Sequence, residues 1–169
     1  NDEARKRIET IYLSEEKIGL YPEHISDRVC SLLPNNNRNV ITSIYKLDDK
    51  CNLISDIPTI VKGKINVKHK MTYEDVDIRI ANPNNSYLDK MLCKLYMFSL
   101  NQRKNNPDRE LYRQLENYIL FETHHESLKA VHSAGASIVH ETMVLNNYGI
   151  AKYFKVKDYP YIYRNLQMP

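Results

Sequence analysis

The 169-residue chain has no tryptophan, four glycines and three cysteines, and each scarcity closes off a class of chemistry. A phosphate-cradling loop needs several glycines close together so that backbone N–H groups reach the anion, and four isolated ones do not make it. Cys30, Cys51 and Cys93 share no C-x-x-C spacing, so neither a disulfide framework nor a cysteine-rich zinc site is expected. Small buried filler suits them better, in a reducing and hence cytoplasmic compartment. No stretch approaches the roughly 18 uninterrupted apolar residues of a membrane span. The opening Asn1-Asp2-Glu3-Ala4-Arg5-Lys6-Arg7 carries no apolar leader, so neither membrane nor export is expected. Charge of one sign is also short: 24 Lys and Arg against 21 Asp and Glu leave +3, too little by itself to argue for nucleic acid.

What is present suits a soluble chain with a real core. Apolar residues make up 42 % and charged ones 27 %, and the mean hydropathy is negative; the length allows one domain or part of a larger one. Seventeen Asn and 13 Tyr hint at an AT-rich genome. β-Branched and aromatic residues predict a strand over Thr10–Leu13. Pro22 opens a helix from Glu23 to about Leu32, with Ile25, Val29 and Leu32 toward the core. A loop over Pro34–Asn39 leads to strands over Val40–Leu47 and Leu53–Ile65, joined by a turn at Asp48–Asn52, with Pro58 marking an edge or bulge. Thr72, with Asp75 three residues on, starts a helix in a capping-box pattern. Asn82–Ser86 stops that helix and caps the next, from Tyr87 to about Gln102, whose Leu88, Met91, Leu92, Leu95, Tyr96 and Phe98 share a stripe. A further helix is expected from Pro107 to Glu116, a strand at Tyr118–Phe121, the longest buried helix over Ile138–Phe154, and a last strand at Tyr161–Tyr163. The class is α/β, a mixed sheet packed by helices.

Chemistry-bearing clusters are sparse. A Mg²⁺-dependent phosphodiester site needs convergent carboxylates. Asp48-Asp49 sits in a turn, however, and Glu74, Asp75 and Asp77 crowd a helix start that the helix dipole already explains. His124-His125, His132 and His140 lack the H-E-x-x-H spacing of a zinc helix, and no nucleophile elbow occurs. The remaining signal is basic residues near aromatics: Lys62, Lys64, Lys68, His69 and Lys70 run up to Tyr73, and Arg5-Lys6-Arg7 precedes Tyr12. Such charge beside stacking rings is what a single-stranded nucleic acid site needs; a solvated strand face is the plainer reading.

Five segments in order resemble a known family. Asp2-Glu3-Ala4-Arg5-Lys6-Arg7, Thr10-Ile11-Tyr12-Leu13 and Tyr21-Pro22-Glu23 are similar to D-x-E-A-x-x-R-x-x-S/T-x-Y-L followed by M-L-P-E. Ile25–Leu32 with Pro34-Asn35 and Arg38 is similar to L-S-x-x-x-C-S-L-x-P-N-x-x-R. Ile65–Val76 matches I-x-S-x-x-K-L-T-Y-x-x-V at Lys70, Thr72, Tyr73 and Val76. Ile138–Asn147 is similar to I-E-E-x-M-x-x-A-N, and Tyr163-Arg164 with Pro169 to L-Y-R-x-H-x-x-P. The family is the ribonuclease II and ribonuclease R exoribonucleases, and the part is the middle of their RNB catalytic domain.

The resemblance implies hydrolysis of single-stranded RNA from its 3′ end to nucleoside 5′-monophosphates, with Mg²⁺ as cofactor. It implies no catalytic or metal-binding residue within this stretch. In the family the Asp cluster that holds Mg²⁺ precedes the segment matched by Asp2–Arg7, and the Arg that assists cleavage follows the closing motif, so the chain reads as an internal fragment, inactive alone. Its partners would be single-stranded RNA, the remaining parts of the same domain and flanking OB-type RNA-binding domains. Tyr12 and Phe121 fall where the family has aromatics near the RNA 3′ end. Arg38 matches the Arg after P-N, and Lys68 and Lys70 belong to the basic run that would meet phosphates. Glu141 and Asn147 match E-E and A-N, where they contact ribose or phosphate or else buttress the site. His140 replaces the first Glu, Leu166 stands where His is usual, and the stretch between Phe121 and Glu141 is short, which suits a divergent, viral or organellar member. Two readings of other classes stay open: a catalytically degenerate single-stranded RNA-binding module, and a purely structural or interaction domain.

Overall fold

A computed structural model describes residues 2–13, 16–106 and 133–163, so the helix expected from Pro107 and the strand at Tyr118–Phe121 lie outside the described residues. The chain clusters into two units, one of Asn1–Ile41 with Lys62–Lys70, the other of Thr42–Val61 with Met71–Pro169.

In the first unit, α1 (Asp2–Arg7) precedes β1 (Ile11–Tyr12), which pairs antiparallel with β2 (Lys17–Ile18) so that Ile11 faces Ile18 and Tyr12 faces Lys17. Thr10 Oγ1 accepts from the Leu20 amide at 3.2 Å and ties the far side of the hairpin. The helix expected over Glu23–Leu32 is instead a single π-helical turn, His24–Val29: the Cys30 amide donates to the Ile25 carbonyl, five residues back, at 2.9 Å. The wider turn carries the i, i+4, i+7 spacing off any one face. Val29 and Leu32, expected inside, are accordingly 65 % and 50 % exposed.

Asn35 takes a left-handed φ of 58°, a conformation Asn tolerates better than most residues, and turns the chain into β3 (Asn37–Ile44). Strand β4 (Thr59–Asn66) is its hydrogen-bonded neighbour. Asn66 Nδ2 at the end of β4 donates to Asn37 Oδ1 at the start of β3 at 3.0 Å, so the two run antiparallel. The return strand, expected from Leu53, starts only at Thr59, directly after a buried Pro58 that has no N–H to give to a ladder. Between the strands, Asp48 Oδ1 accepts from the amides of Lys50 (2.9 Å) and Asn52 (2.7 Å), and Leu47 bridges Leu53 antiparallel. The expected turn is therefore built by one carboxylate.

Three helices complete the second unit and pack on one another. α2 (Tyr73–Ala81) opens with the full capping box: Thr72 accepts from the Asp75 amide and Asp75 from the Thr72 amide. Ser86 caps α3 (Tyr87–Lys104) and Ser133 caps α4 (Ala134–Val156), which at 23 residues is the longest described element. Cys51, Phe98 and Leu145 form the buried centre, with Tyr45, Leu47 and Leu53 around it. One of the three cysteines is thus core filler, while Cys30 is exposed. At Gly149 the helix comes so near the hairpin that an added Cβ would lie 2.2 Å from Tyr45 Oη and 2.7 Å from the Asp56 carbonyl. Beyond α4, Tyr161–Tyr163 is irregular rather than the expected strand; Tyr161 stacks on Phe154 (centroids 4.5 Å, planes 27° apart) instead of entering a ladder. The mixed α and β class stands, its described strands forming two two-stranded antiparallel ladders.

Candidate nucleic-acid interface

Charge divides unevenly between the units. The first carries ten Lys and Arg against seven Asp and Glu, the whole surplus of +3, and the second carries fourteen of each. Much of that surplus lies on one stretch. Lys62 and Lys64 are two apart on β4 and share a face, and Lys68, His69 and Lys70 follow; all five are exposed. A Cβ added at Gly63, which would point to the opposite face from the two lysines, would meet nothing within 4 Å, so that face of the strand is open as well. A phosphate backbone needs such accessible cations and no particular base.

Arg38 is placed differently from the lysines. Its Nε donates to the Ser31 carbonyl and its Nη2 to the Arg28 carbonyl, both at 2.9 Å, and Nη1 reaches the Asn37 carbonyl at 3.4 Å. Two of the five guanidinium N–H groups thus close the end of the π-helical turn, a third goes to the preceding residue of β3, and two remain. Tyr12 stands in β1, opposite Lys17. Phe121 lies outside the described residues.

Glu141 and Asn147 are not brought together. Six residues on an α-helix span about 240° of turn. Glu141 is fully buried toward α3, where Arg103 Nε lies 3.3 Å from its Oε1, whereas Asn147 is exposed. The pair ties α3 to α4. Sequence reading missed Arg103, because its partner is 38 residues away and no local pattern links them.

Three of the five carboxylates that drew attention as metal candidates, Asp48, Asp75 and Asp77, are occupied by backbone amides. The Asn52 amide beside Asp48 and the Thr72 amide beside Asp75 each hold a carboxyl below its ordinary pKa. Asp77 accepts from the Gly135 amide at 2.8 Å at the start of α4. Asp89, buried, accepts from Arg79 Nη1 (2.8 Å) and the Asn84 amide (3.0 Å), and these bonds lower its pKa, Arg79 contributing most. Opposite signs meet again at Lys152 and Asp56, which are paired; that bond, with Tyr148 second, raises the lysine's pKa. Among the described residues no three His, Cys, Asp or Glu side chains come together to hold a metal ion, so they do not fit a Mg²⁺ site. No described helix is long and apolar enough to cross a membrane.

The whole chain, residues 1–169, matches the RNB domain family. It is 33 % identical over 93 residues to ribonuclease R of Chlamydia trachomatis, covering 55 % of this chain and 13 % of that protein. It is 27 % identical over 164 residues to exoribonuclease 2 of Mannheimia succiniciproducens (89 % and 24 %), and 26 % over 163 residues to the human exosome complex exonuclease RRP44 (90 % and 16 %). The chain therefore spans less than a quarter of the length of these relatives. Among solved structures it is similar in fold to Mycoplasma genitalium RNase R, in its apo form and in complex with ribose methylated single-stranded RNA. In each case the TM-score is 0.63 and the identity 16 %, covering 93 % of this chain and 26 % of that one.

Proposed function

Because the chain belongs to the RNB domain family, we propose that it is part of a 3′→5′ exoribonuclease that hydrolyses single-stranded RNA, water adding across the terminal phosphodiester to release a nucleoside 5′-monophosphate. The observation that carries this reading is the family match over all 169 residues, and the RNA-bound relative of the same fold supports the substrate class. Mg²⁺, on this reading, is held by residues outside these 169, and no bond-breaking step is assigned to the described side chains. Their part is to hold the strand.

Lys62, Lys64, Lys68 and Lys70 meet phosphates, and Tyr12 and Phe121 stack on the last bases. Stacking contributes about 1–3 kcal/mol per base without regard to sequence, which suits an enzyme that removes one nucleotide after another. Arg38 acts mainly through the turn it closes, with two N–H groups left for a phosphate oxygen, and Asn147 offers an exposed amide. The same reading places the protein in the cytoplasm.

The test is the double variant Lys68→Gln/Lys70→Gln in the full-length protein. Its affinity for an unpaired oligoribonucleotide should fall, and the slope of log affinity against log salt should flatten by about 1.4, the value for two phosphates on a single strand. An unchanged slope would remove these lysines from the interface.

A further inference from the structure

The end of α4 carries an aromatic ladder that no role described so far uses. Phe154, half-buried, sits at its centre: Tyr153 and Tyr159 meet it edge-on at 5.9 and 6.1 Å, Tyr161 stacks on it at 4.5 Å, and Tyr163 meets Tyr161 edge-on at 5.2 Å. The helix terminus fixes this group, since the Lys157 amide donates to the Tyr153 carbonyl and the Tyr159 amide to the Phe154 carbonyl (3.1 and 3.0 Å), while Asp158 turns the chain at φ 52°. Tyr159, Tyr161 and Tyr163 nevertheless remain 54 %, 42 % and 44 % exposed. Tyr153, at one end of this ladder, also lines a cleft of about 420 Å³ with Ile57, Thr59, Ile60, Val156 and Lys157, a volume within the range of small-ligand sites. Lys157 stands exposed in its wall, and Lys155 and the acid Asp158 are exposed nearby in sequence; Lys152 is already engaged with Asp56.

Exposed rings held rigidly by a packed one, beside a pocket with hydroxyls and a lysine, suit a planar base on a charged backbone. A purely apolar partner would leave the Lys157 charge and the Thr59 hydroxyl of the cleft wall unsatisfied. We propose that the end of α4, with the cleft between it and the start of β4, is a stacking subsite for unpaired RNA nucleotides, built from residues of the second unit alone. Two lysines against one aspartate leave little net charge there, so stacking carries the contact and salt hardly affects it, in contrast to the lysines of β4. The inference rests on the RNA reading above.

The experiment uses the full-length protein with EDTA present to hold digestion, an unpaired 12-nucleotide RNA bearing one 4-thiouridine, and an abasic ribose-phosphate oligomer of the same length. Ultraviolet cross-linking should mark residues 159–163, and Tyr161→Leu should weaken binding of the RNA about tenfold, equally at low and high salt, while leaving the abasic oligomer unaffected. Should Tyr161→Leu unfold the protein, Tyr159→Leu, at a more exposed ring, reads the same effect. RNA binding that persists with cross-links elsewhere and neutral Tyr variants overturns the subsite and spares the RNA reading. No binding of either oligomer by the unsubstituted protein overturns both.

Discussion

Gly149 shows how one missing side chain sets the distance between a helix and a hairpin. In α4 a Gly→Ala change ordinarily stabilises by about 1 kcal/mol. Here the new Cβ would meet Tyr45 Oη and the Asp56 carbonyl inside contact distance, and overpacking of that kind costs about 1–3 kcal/mol. Gly149→Ala should therefore lower the urea midpoint, and adding Tyr45→Phe should recover only part of the loss, because the Asp56 carbonyl stays in the way. A midpoint that rises on Gly149→Ala would mean that the helix stands off from the hairpin. Arg103 and Glu141 act at the same scale. Breaking a buried ion pair on one side leaves a charge with one partner fewer, so Arg103→Met should cost about 3 kcal/mol, read by the same denaturation. Local spacing revealed neither contact: Gly149 meets residues about a hundred positions earlier, and Arg103 meets one 38 positions later. A linear pattern carries only what lies within a turn or two of helix.

Among the elements, those built by short-range chemistry were the ones legible beforehand. Thr72 with Asp75, Ser86, and Asp48 with Asn52 each satisfy a backbone amide within four residues, and the two helix starts and the hairpin turn follow where expected. The π-helical turn was not legible, because its Ile25, Val29 and Leu32 spacing is what an α-helix would show and its five-residue bond leaves no mark in composition. The end of α4 failed for a related reason: alternating Tyr161-Ile162-Tyr163 resembles a strand, yet Tyr161 packs on Phe154 and Tyr163 on Tyr161. A pH prediction belongs here. Folding lowers the pKa of Asp89, so its contribution to the α2–α3 joint is complete above the unfolded value of about 4 and fades as pH falls through the lower folded value. Acid titration of the folded protein should therefore loosen this joint only below about pH 4, as read by amide exchange at Asn84 and Asp89, and Asp89→Asn should abolish that step. A joint that loosens near neutrality would point to another group.

For the whole molecule, the division of charge matters more than its total. A surplus of +3 spread over the surface argues for nothing, yet collected on one unit, with four exposed lysines on and just after one strand, it supports the phosphate-binding surface proposed above. Of the residues singled out beforehand, the lysines stand open, Arg38 and Glu141 turn inward to carbonyls and to Arg103, Tyr12 sits on a short hairpin, and Phe121 lies outside the described residues. Family motifs located these positions; only the fold separates the side chains left open to solvent from those bonded within the frame. The central claim is exonucleolytic hydrolysis from the 3′ end. The most direct measurement is Mg²⁺-dependent digestion of 3′-labelled and 5′-labelled single-stranded RNA by the full-length protein. The account predicts labelled mononucleotides at once from the 3′-labelled strand and a steadily shortening ladder from the 5′-labelled one. Retention of both strands intact, bound but uncut, would contradict it and leave a degenerate RNA-binding module in its place.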